Sequence, residues 1–254
     1  MTYRDTEIYF SSEGTGNPLI LLHGFMESSK IWEDFVPSLA AKRQVVCIDL
    51  PGHGGSGCFN EIHSMEEMAK AVKEVLRHLG IEKAAIAGHS MGGYVSLELS
   101  KIFPTLLKSL TLINSTPEGD SEERKINRDR AVRLVNKNKS AFVKMAISNL
   151  MLPENSKKYQ SEVQDLIFEA LRMSVKGITA ATKGMKIRSD NVNLFSSLEI
   201  EKNIIAGKND PILNLVELKK VAIEGNANLF LLEGGHLSFV EDKRALRKIL
   251  HLIE

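Results

Sequence analysis

Cysteine is scarce in this chain, two in 254 residues, and that excludes the disulfide framework of a small secreted domain. Cys47 lies inside an apolar run and Cys58 in a glycine-rich loop, and neither has the spacing of a CxxC or a metal-binding cluster. Charge of one sign is lacking as well: 33 Lys plus Arg stand against 32 Asp plus Glu, a formal net charge of +1. With no dominant field to attract phosphates, neither a nucleic acid nor an anionic membrane surface is expected as a partner. No window approaches the ~18 apolar residues of a membrane span, and the opening MTYRDTEIYF lacks the basic and apolar regions of a secretory leader. A soluble cytoplasmic protein is the expectation. Repeats and low-complexity segments are also missing, which leaves glycine and proline as the punctuation.

What is present is a 43% apolar composition, enough for one substantial core. Short apolar runs at residues 18–23 and 44–49 read as buried strands, after an opening strand expected at residues 7–11. Further strands are expected at 84–87, 107–113, 202–206 and 228–232. Between Ser64 and Gly80 the apolar positions Met65, Met68, Ala69, Val72, Val75, Leu76 and Leu79 fall three and four apart, which predicts an amphipathic helix. Strands alternating with helices argue for a mostly parallel sheet covered on both faces. Residues 117–191 break the alternation, being helical in pattern almost throughout. This segment carries 15 Lys plus Arg against 10 Asp plus Glu, a net of +5, and the remainder of the chain is correspondingly acidic.

The strongest local signal is Gly88-His-Ser90-Met-Gly92, set between an apolar strand and a helical pattern. Glycines two residues either side of a serine permit a sharp strand-to-helix turn that lifts the hydroxyl out of the sheet. The turn places Ser90 at a helix N-terminus, where the backbone N–H of Met91 can face a developing oxyanion. A serine hydroxyl needs a neighbouring base, so one of seven histidines must supply it. His78 and His251 lie on helical patterns, His63 precedes a helix, His53 sits in a glycine-rich turn, His23 ends a strand, and His89 belongs to the elbow itself. His236 alone follows the last strand across Gly234-Gly235, at the carboxyl edge of the sheet. Asp210, just past the preceding strand, emerges at the same edge and can orient that base, although Asn209-Asp210-Pro211 is also turn chemistry. The chain order Ser, Asp, His is that of one common triad architecture.

With His23-Gly-Phe25, Asp49-Leu-Pro-Gly-His-Gly-Gly-Ser56 and Gly88-His-Ser-Met-Gly-Gly93 in sequence, the chain resembles the α/β-hydrolase superfamily over essentially its whole length, closest to its capped serine hydrolases. The resemblance implies an α/β fold with a mostly parallel eight-stranded sheet flanked by helices and a helical cap inserted after strand six. It divides the chain into core (1–116), cap (117–191) and core (192–254). It also implies an oxyanion hole formed by the N–H groups of Phe25 and Met91. Serine at position 90, where the dehalogenases and epoxide hydrolases carry Asp, argues against those activities. Asn114 stands where some members place the triad acid, which leaves Asp210. His89 and Tyr94 differ from the residues that carbon-carbon hydrolases and the menaquinone-pathway lyase carry there.

The expected reaction is hydrolysis of a small carboxylic ester through an acyl-enzyme, with no cofactor and no metal. Carbon-carbon, lyase or thioester chemistry on an anionic substrate is the alternative suggested by the basic insertion, and a binding protein that retains the triad is a third. Phe25, Met26, Phe142, Met145, Ala146, Leu150, Met151 and Met185 suggest an apolar, adaptable pocket, although such residues at helical spacing also serve as packing.

Overall fold

The computed structural model describes residues 1–253. The chain opens on two short strands, Thr2–Tyr3 (β1) and Thr6–Glu7 (β2), paired antiparallel around Arg4 and Asp5. Both turn residues have positive φ, 48° and 57°, the geometry of a type I′ hairpin turn. Then follow Phe10–Glu13 (β3), Pro18–Leu22 (β4), Gln44–Ile48 (β5), Ala84–His89 (β6), Leu107–Ile113 (β7), Glu201–Gly207 (β8) and Asn228–Leu232 (β9). These seven form one sheet in the order β3-β5-β4-β6-β7-β8-β9, with every pairing parallel except β3 against β5.

Three expectations are corrected by the strand pairing. The sheet has seven strands among the described residues, not eight, because β1 and β2 pair with each other and stay out of it. The opening strand expected at residues 7–11 is divided, since Ile8 donates its N–H to Met1 O (2.8 Å) and Tyr9 donates to Ser56 Oγ (2.9 Å). For the same reason the helical insertion follows the fifth strand of the sheet, the seventh of the chain, and not the sixth.

Period-two alternation sorts the strand side chains onto two layers. Ile20, Leu22, Val46, Ile48, Ile86, Leu110, Leu112, Ile204 and Ala206 join one buried cluster. Leu19, Leu21, Val45, Cys47, Ala85, Ala87, Ile113 and Ile205 join the other. Both faces being covered is what makes each run read as continuously apolar. Val36–Ala40 (α1) packs on the second face, while Met65–His78 (α2) and Met91–Ile102 (α3) pack on the first through Met68, Val72, Val95 and Leu99. Helix α2 starts where Ser64 Oγ accepts the Glu67 N–H (3.1 Å) and ends before Gly80, whose φ of +68° stops it.

Six helices lie between β7 and β8: Glu122–Lys137 (α4), Lys139–Ser148 (α5), Pro153–Lys158 (α6), Gln160–Arg172 (α7), Val175–Lys186 (α8) and Val192–Ser197 (α9). The stem of this insertion is tied at residues 117 and 191, where Asn191 donates its N–H to Pro117 O (2.8 Å). Val135, Phe142, Val143, Ile147 and Ile178 join the second cluster, so the insertion shares the core of that face. Leu215–Glu224 (α10), Ser238–Glu241 (α11) and Lys243–Leu250 (α12) complete the chain. Among the described residues no helix is long and apolar enough to cross a membrane.

Candidate active site

Strand β6 runs straight into Ser90, which holds φ 49° and ψ −112°, a conformation few side-chain-bearing residues adopt. The strain is fixed by three hydrogen bonds: Ser90 N–H donates to Ile113 O (2.9 Å), while Ser90 O accepts from Gly93 N–H (3.0 Å) and Ser115 Oγ (2.8 Å). The flanking glycines are needed for space. A Cβ at Gly88 would stand 2.3 Å from Gly92 O, and one at Gly92 would stand 2.6 Å from Leu22 O.

The three residues expected to act together are brought together. His236 Nε2 lies 3.0 Å from Ser90 Oγ, and His236 Nδ1 lies 2.8 Å from Asp210 Oδ2. An ionised Asp210 accepts a hydrogen bond from Nδ1–H, which leaves Nε2 free to accept from the serine hydroxyl. Asp210 is itself held at both oxygens. Oδ1 accepts the N–H groups of Ile212 (2.8 Å) and Leu213 (3.2 Å), and Oδ2 also accepts from Asn114 Nδ2 (3.0 Å). Burial alone would raise the Asp210 carboxyl, but His236, the Ile212 amide and Asn114 outweigh it and hold the group below its ordinary value. Asp210 is therefore held in its charged form beside His236.

Behind the base lies a second pair that the residue pattern did not bring out. Glu27 Oε2 accepts from Gly24 N–H (2.6 Å) and from His89 Nδ1 (3.0 Å), and His89 Nε2 donates to His236 O (2.9 Å). Both side chains are buried. Burial pushes the His89 imidazole down, yet the Glu27 carboxylate more than offsets this and raises it; burial likewise opposes ionisation of Glu27, and His89 reverses that too. The pair is an imidazolium and a carboxylate. It joins the loop that carries Phe25 to the loop that carries His236.

Ser90 and His236 open into a cavity of about 190 Å³. Of the pocket candidates named from the sequence, Phe25, Met26, Phe142, Ala146, Leu150 and Met185 lie in its lining. Met145 does not. It is 47% exposed, because Phe142, Val143, Ala146 and Ile147 occupy the inner arc of α5 and Met145 lies about 60° beyond Phe142 on the side away from Val143 and Ile147. Met151 is buried among apolar side chains outside the cavity lining. Tyr94, Arg128, Thr182 and Ile212 complete the lining together with Ala131 and Glu27. Met91 opens α3, so its N–H belongs to the first turn, where a helix has no acceptor of its own. Among the described residues no group of three or more His, Cys, Asp or Glu is placed to hold a metal ion.

Residues 17–243 match the family model of the alpha/beta hydrolase fold. The chain belongs to that family. Among curated relatives of this hydrolase-fold chain, it is 43% identical over 106 residues to the dihydrolipoyllysine-residue acetyltransferase component of an acetoin cleaving system from Pseudomonas putida, covering 42% of this chain and 29% of that one. It is 36% identical over 110 residues to a pimeloyl-[acyl-carrier protein] methyl ester esterase from Methylococcus capsulatus, covering 43% and 41%. The chain thus spans less than half the length of these relatives. Among solved structures, a thermophilic esterase from Thermogutta terrifontis superposes with a TM-score of 0.92 at 26% identity, over 97% of this chain and 92% of that one. An enol-lactonase from Burkholderia xenovorans shares the fold, with a TM-score of 0.89 at 18% identity over 96% and 95%.

For this hydrolase-fold chain, three site residues were not legible as such. Glu27 lies four residues past His23 in a loop with no motif of its own, and its partner His89 is far from it in sequence. Asn114 was visible only as a position lacking an acid. Arg128 is one of many cations on a basic helix, and nothing in its spacing marks it for the lining of the cavity at Ser90.

Proposed function

We propose that the chain is a serine hydrolase that cleaves a small carboxylic ester through an acyl-enzyme intermediate. The observation that carries this is the continuous chain from Ser90 Oγ to His236 Nε2 (3.0 Å) and from His236 Nδ1 to Asp210 Oδ2 (2.8 Å), inside a cavity. Ser90 Oγ attacks the ester carbonyl as His236 Nε2 takes its proton. The N–H groups of Phe25 and Met91 receive the oxyanion. As the tetrahedral intermediate collapses, the acyl carbon–oxygen bond breaks and the imidazolium protonates the leaving alkoxide. Water then attacks the acyl-enzyme with His236 again as base, releasing the acid and restoring Ser90. Asp210 stays ionised throughout, fixing the tautomer and stabilising the imidazolium.

In this reading residues 117–191 act as a cap, since α4, α5 and α8 contribute lining to the cavity that holds Ser90. An apolar acyl group fits Phe142, Ala146, Leu150 and Met185, and about 190 Å³, some six waters' worth of space, favours a short one. A cytoplasmic setting goes with the two free thiols, Cys47 and Cys58.

The test is turnover of p-nitrophenyl acetate, butyrate and octanoate by the native protein and by Ser90→Ala. The native protein should prefer the shorter esters, and the variant should lose on the order of 10⁶ in kcat. Equal rates for the two proteins would overturn the assignment.

A further inference from the structure

One cluster of charges within the insertion does not cancel. Asp120 is fully buried and its two oxygens face two different guanidinium groups: Arg128 Nε at 3.0 Å from Oδ2, and Arg188 Nη1 on Oδ1. One carboxylate between two arginines leaves one positive charge over. Burial opposes ionisation of Asp120, but Arg128 and Arg188 outweigh it and keep the carboxyl below its ordinary value, so the excess is not removed by protonation.

Arg188 is committed to the protein. It donates from Nε to Glu118 O (3.1 Å) and from Nη1 to Met185 O (3.2 Å), and its guanidinium lies 4.1 Å from the centroid of the Tyr94 ring. Its Nη2 is buried without a partner. Arg128 is placed differently. It lines the cavity that contains Ser90 and His236, as does Tyr94. The carboxylate in the same lining, Glu27, is already paired with His89. Arg128 is therefore the cation that an entering ligand meets, backed by a second guanidinium and a shared carboxylate bonded at both oxygens.

We propose that the cavity selects esters bearing a free carboxylate, with Arg128 as the residue that binds it. A planar guanidinium matches a carboxylate in shape, and in a site shielded from bulk water the pair is screened less than at a surface. A carboxylate here would turn the two-to-one cluster of arginines and aspartate into a balanced set of two and two. This rests on the reading of Ser90 as the nucleophile, and it names the substrate class of that same site: a small anionic ester.

The test measures binding, so that it does not depend on turnover. Ser90→Ala is titrated calorimetrically with monomethyl succinate and monomethyl glutarate, which carry the charge on the acyl side, with 3-acetoxypropionate, which carries it on the alcohol side, and with methyl valerate as the neutral control. At least one anionic ester should bind about tenfold or more tightly than methyl valerate, and the ratio should fall as salt is raised. Adding Arg128→Met should bring that ratio to about one, whereas Arg128→Lys should retain part of it. Because Arg128→Met leaves Arg188 and Asp120 as a matched pair, the variant should still fold, which its melting curve checks. The proposal is overturned if no anionic ester binds more tightly than the neutral control, or if the preference survives Arg128→Met. The Ser90 assignment fails separately, when the native protein and Ser90→Ala hydrolyse activated esters alike.

Discussion

His89 Nδ1 stands 3.0 Å from Glu27 Oε2, and this buried ion pair joins the two loops that meet at Ser90. One end of the connection fixes Gly24, next to Phe25, and the other fixes the backbone carbonyl of His236. Removing one partner strands the other charge in the interior, which costs about 3–5 kcal/mol in comparable pairs. Glu27→Gln should therefore lower the urea midpoint sharply, and Glu27→Gln with His89→Gln should be less destabilised than the sum of the two single variants. Additive losses in a double-mutant cycle would show that the two do not act as a pair.

The same pair sets a pH dependence. His89 is raised above the ordinary 6.5, so its contribution to stability is fully present below that pH and is lost as pH rises through the folded-state value. Glu27 is lowered from 4.5, so its contribution is present above that pH and is lost as pH falls through its folded-state value. His63 acts in the opposite sense to His89. Burial takes it down to about 4, so protonating it opposes folding and stability falls from pH 6.5 toward pH 4. Urea midpoints measured from pH 6.5 upward should show an alkaline decline in the native protein that is missing in His89→Gln. A parallel decline in both proteins would contradict the assignment.

Asn114 holds the Asp210 carboxylate. Its Nδ2 lies 3.0 Å from both Asp210 Oδ2 and Gly235 O, and its φ of 45° is one that glycine also adopts. Asn114→Gly should lower kcat about tenfold, because it removes an orienting hydrogen bond and not the base, and should lower the melting temperature as well, because the buried Gly235 carbonyl loses the same donor. Steady-state kinetics with a calorimetric melting curve separates the two effects.

The elbow tolerates no side chain at Gly92. Any Cβ there meets Leu22 O at 2.6 Å, backbone that cannot move without disturbing β4. Gly92→Ala should destabilise by about 2 kcal/mol or more, since overpacking of this kind typically costs 1–3 kcal/mol. Met145→Ala, at an exposed position of α5, should stay within about 0.5 kcal/mol, while Phe142→Ala, buried against the cavity, should lose about 3–5 kcal/mol. Thermal unfolding of the three variants ranks them directly.

The sheet was legible because its strands are covered on both sides. Residues 107–113 and 228–232 form strands over the expected spans, and α2 follows its apolar stripe from Met65 to His78. The opening strand was misread because a positive-φ turn at Arg4 and Asp5 folds the first residues onto themselves, which alternation alone does not reveal. Ser90, Asp210 and His236 were legible because each follows a strand at the same edge of the sheet. Glu27, Asn114 and Arg128 were not, since their roles come from pairings across 62, 96 and 8 residues that no local pattern encodes. Met145 shows the converse. An apolar residue on a helix carries no mark of which way it faces until the neighbours fix the inner arc.

The central claim is that His236 and Asp210 activate Ser90. The most direct measurement is the rate at which a fluorophosphonate probe labels the protein, read by intact mass and peptide mapping. A single adduct on Ser90 is expected, with no adduct in Ser90→Ala and labelling slowed by about 10³-fold or more in His236→Ala. Labelling of Ser90 at the same rate with and without His236, or labelling that persists in Ser90→Ala, would contradict the claim.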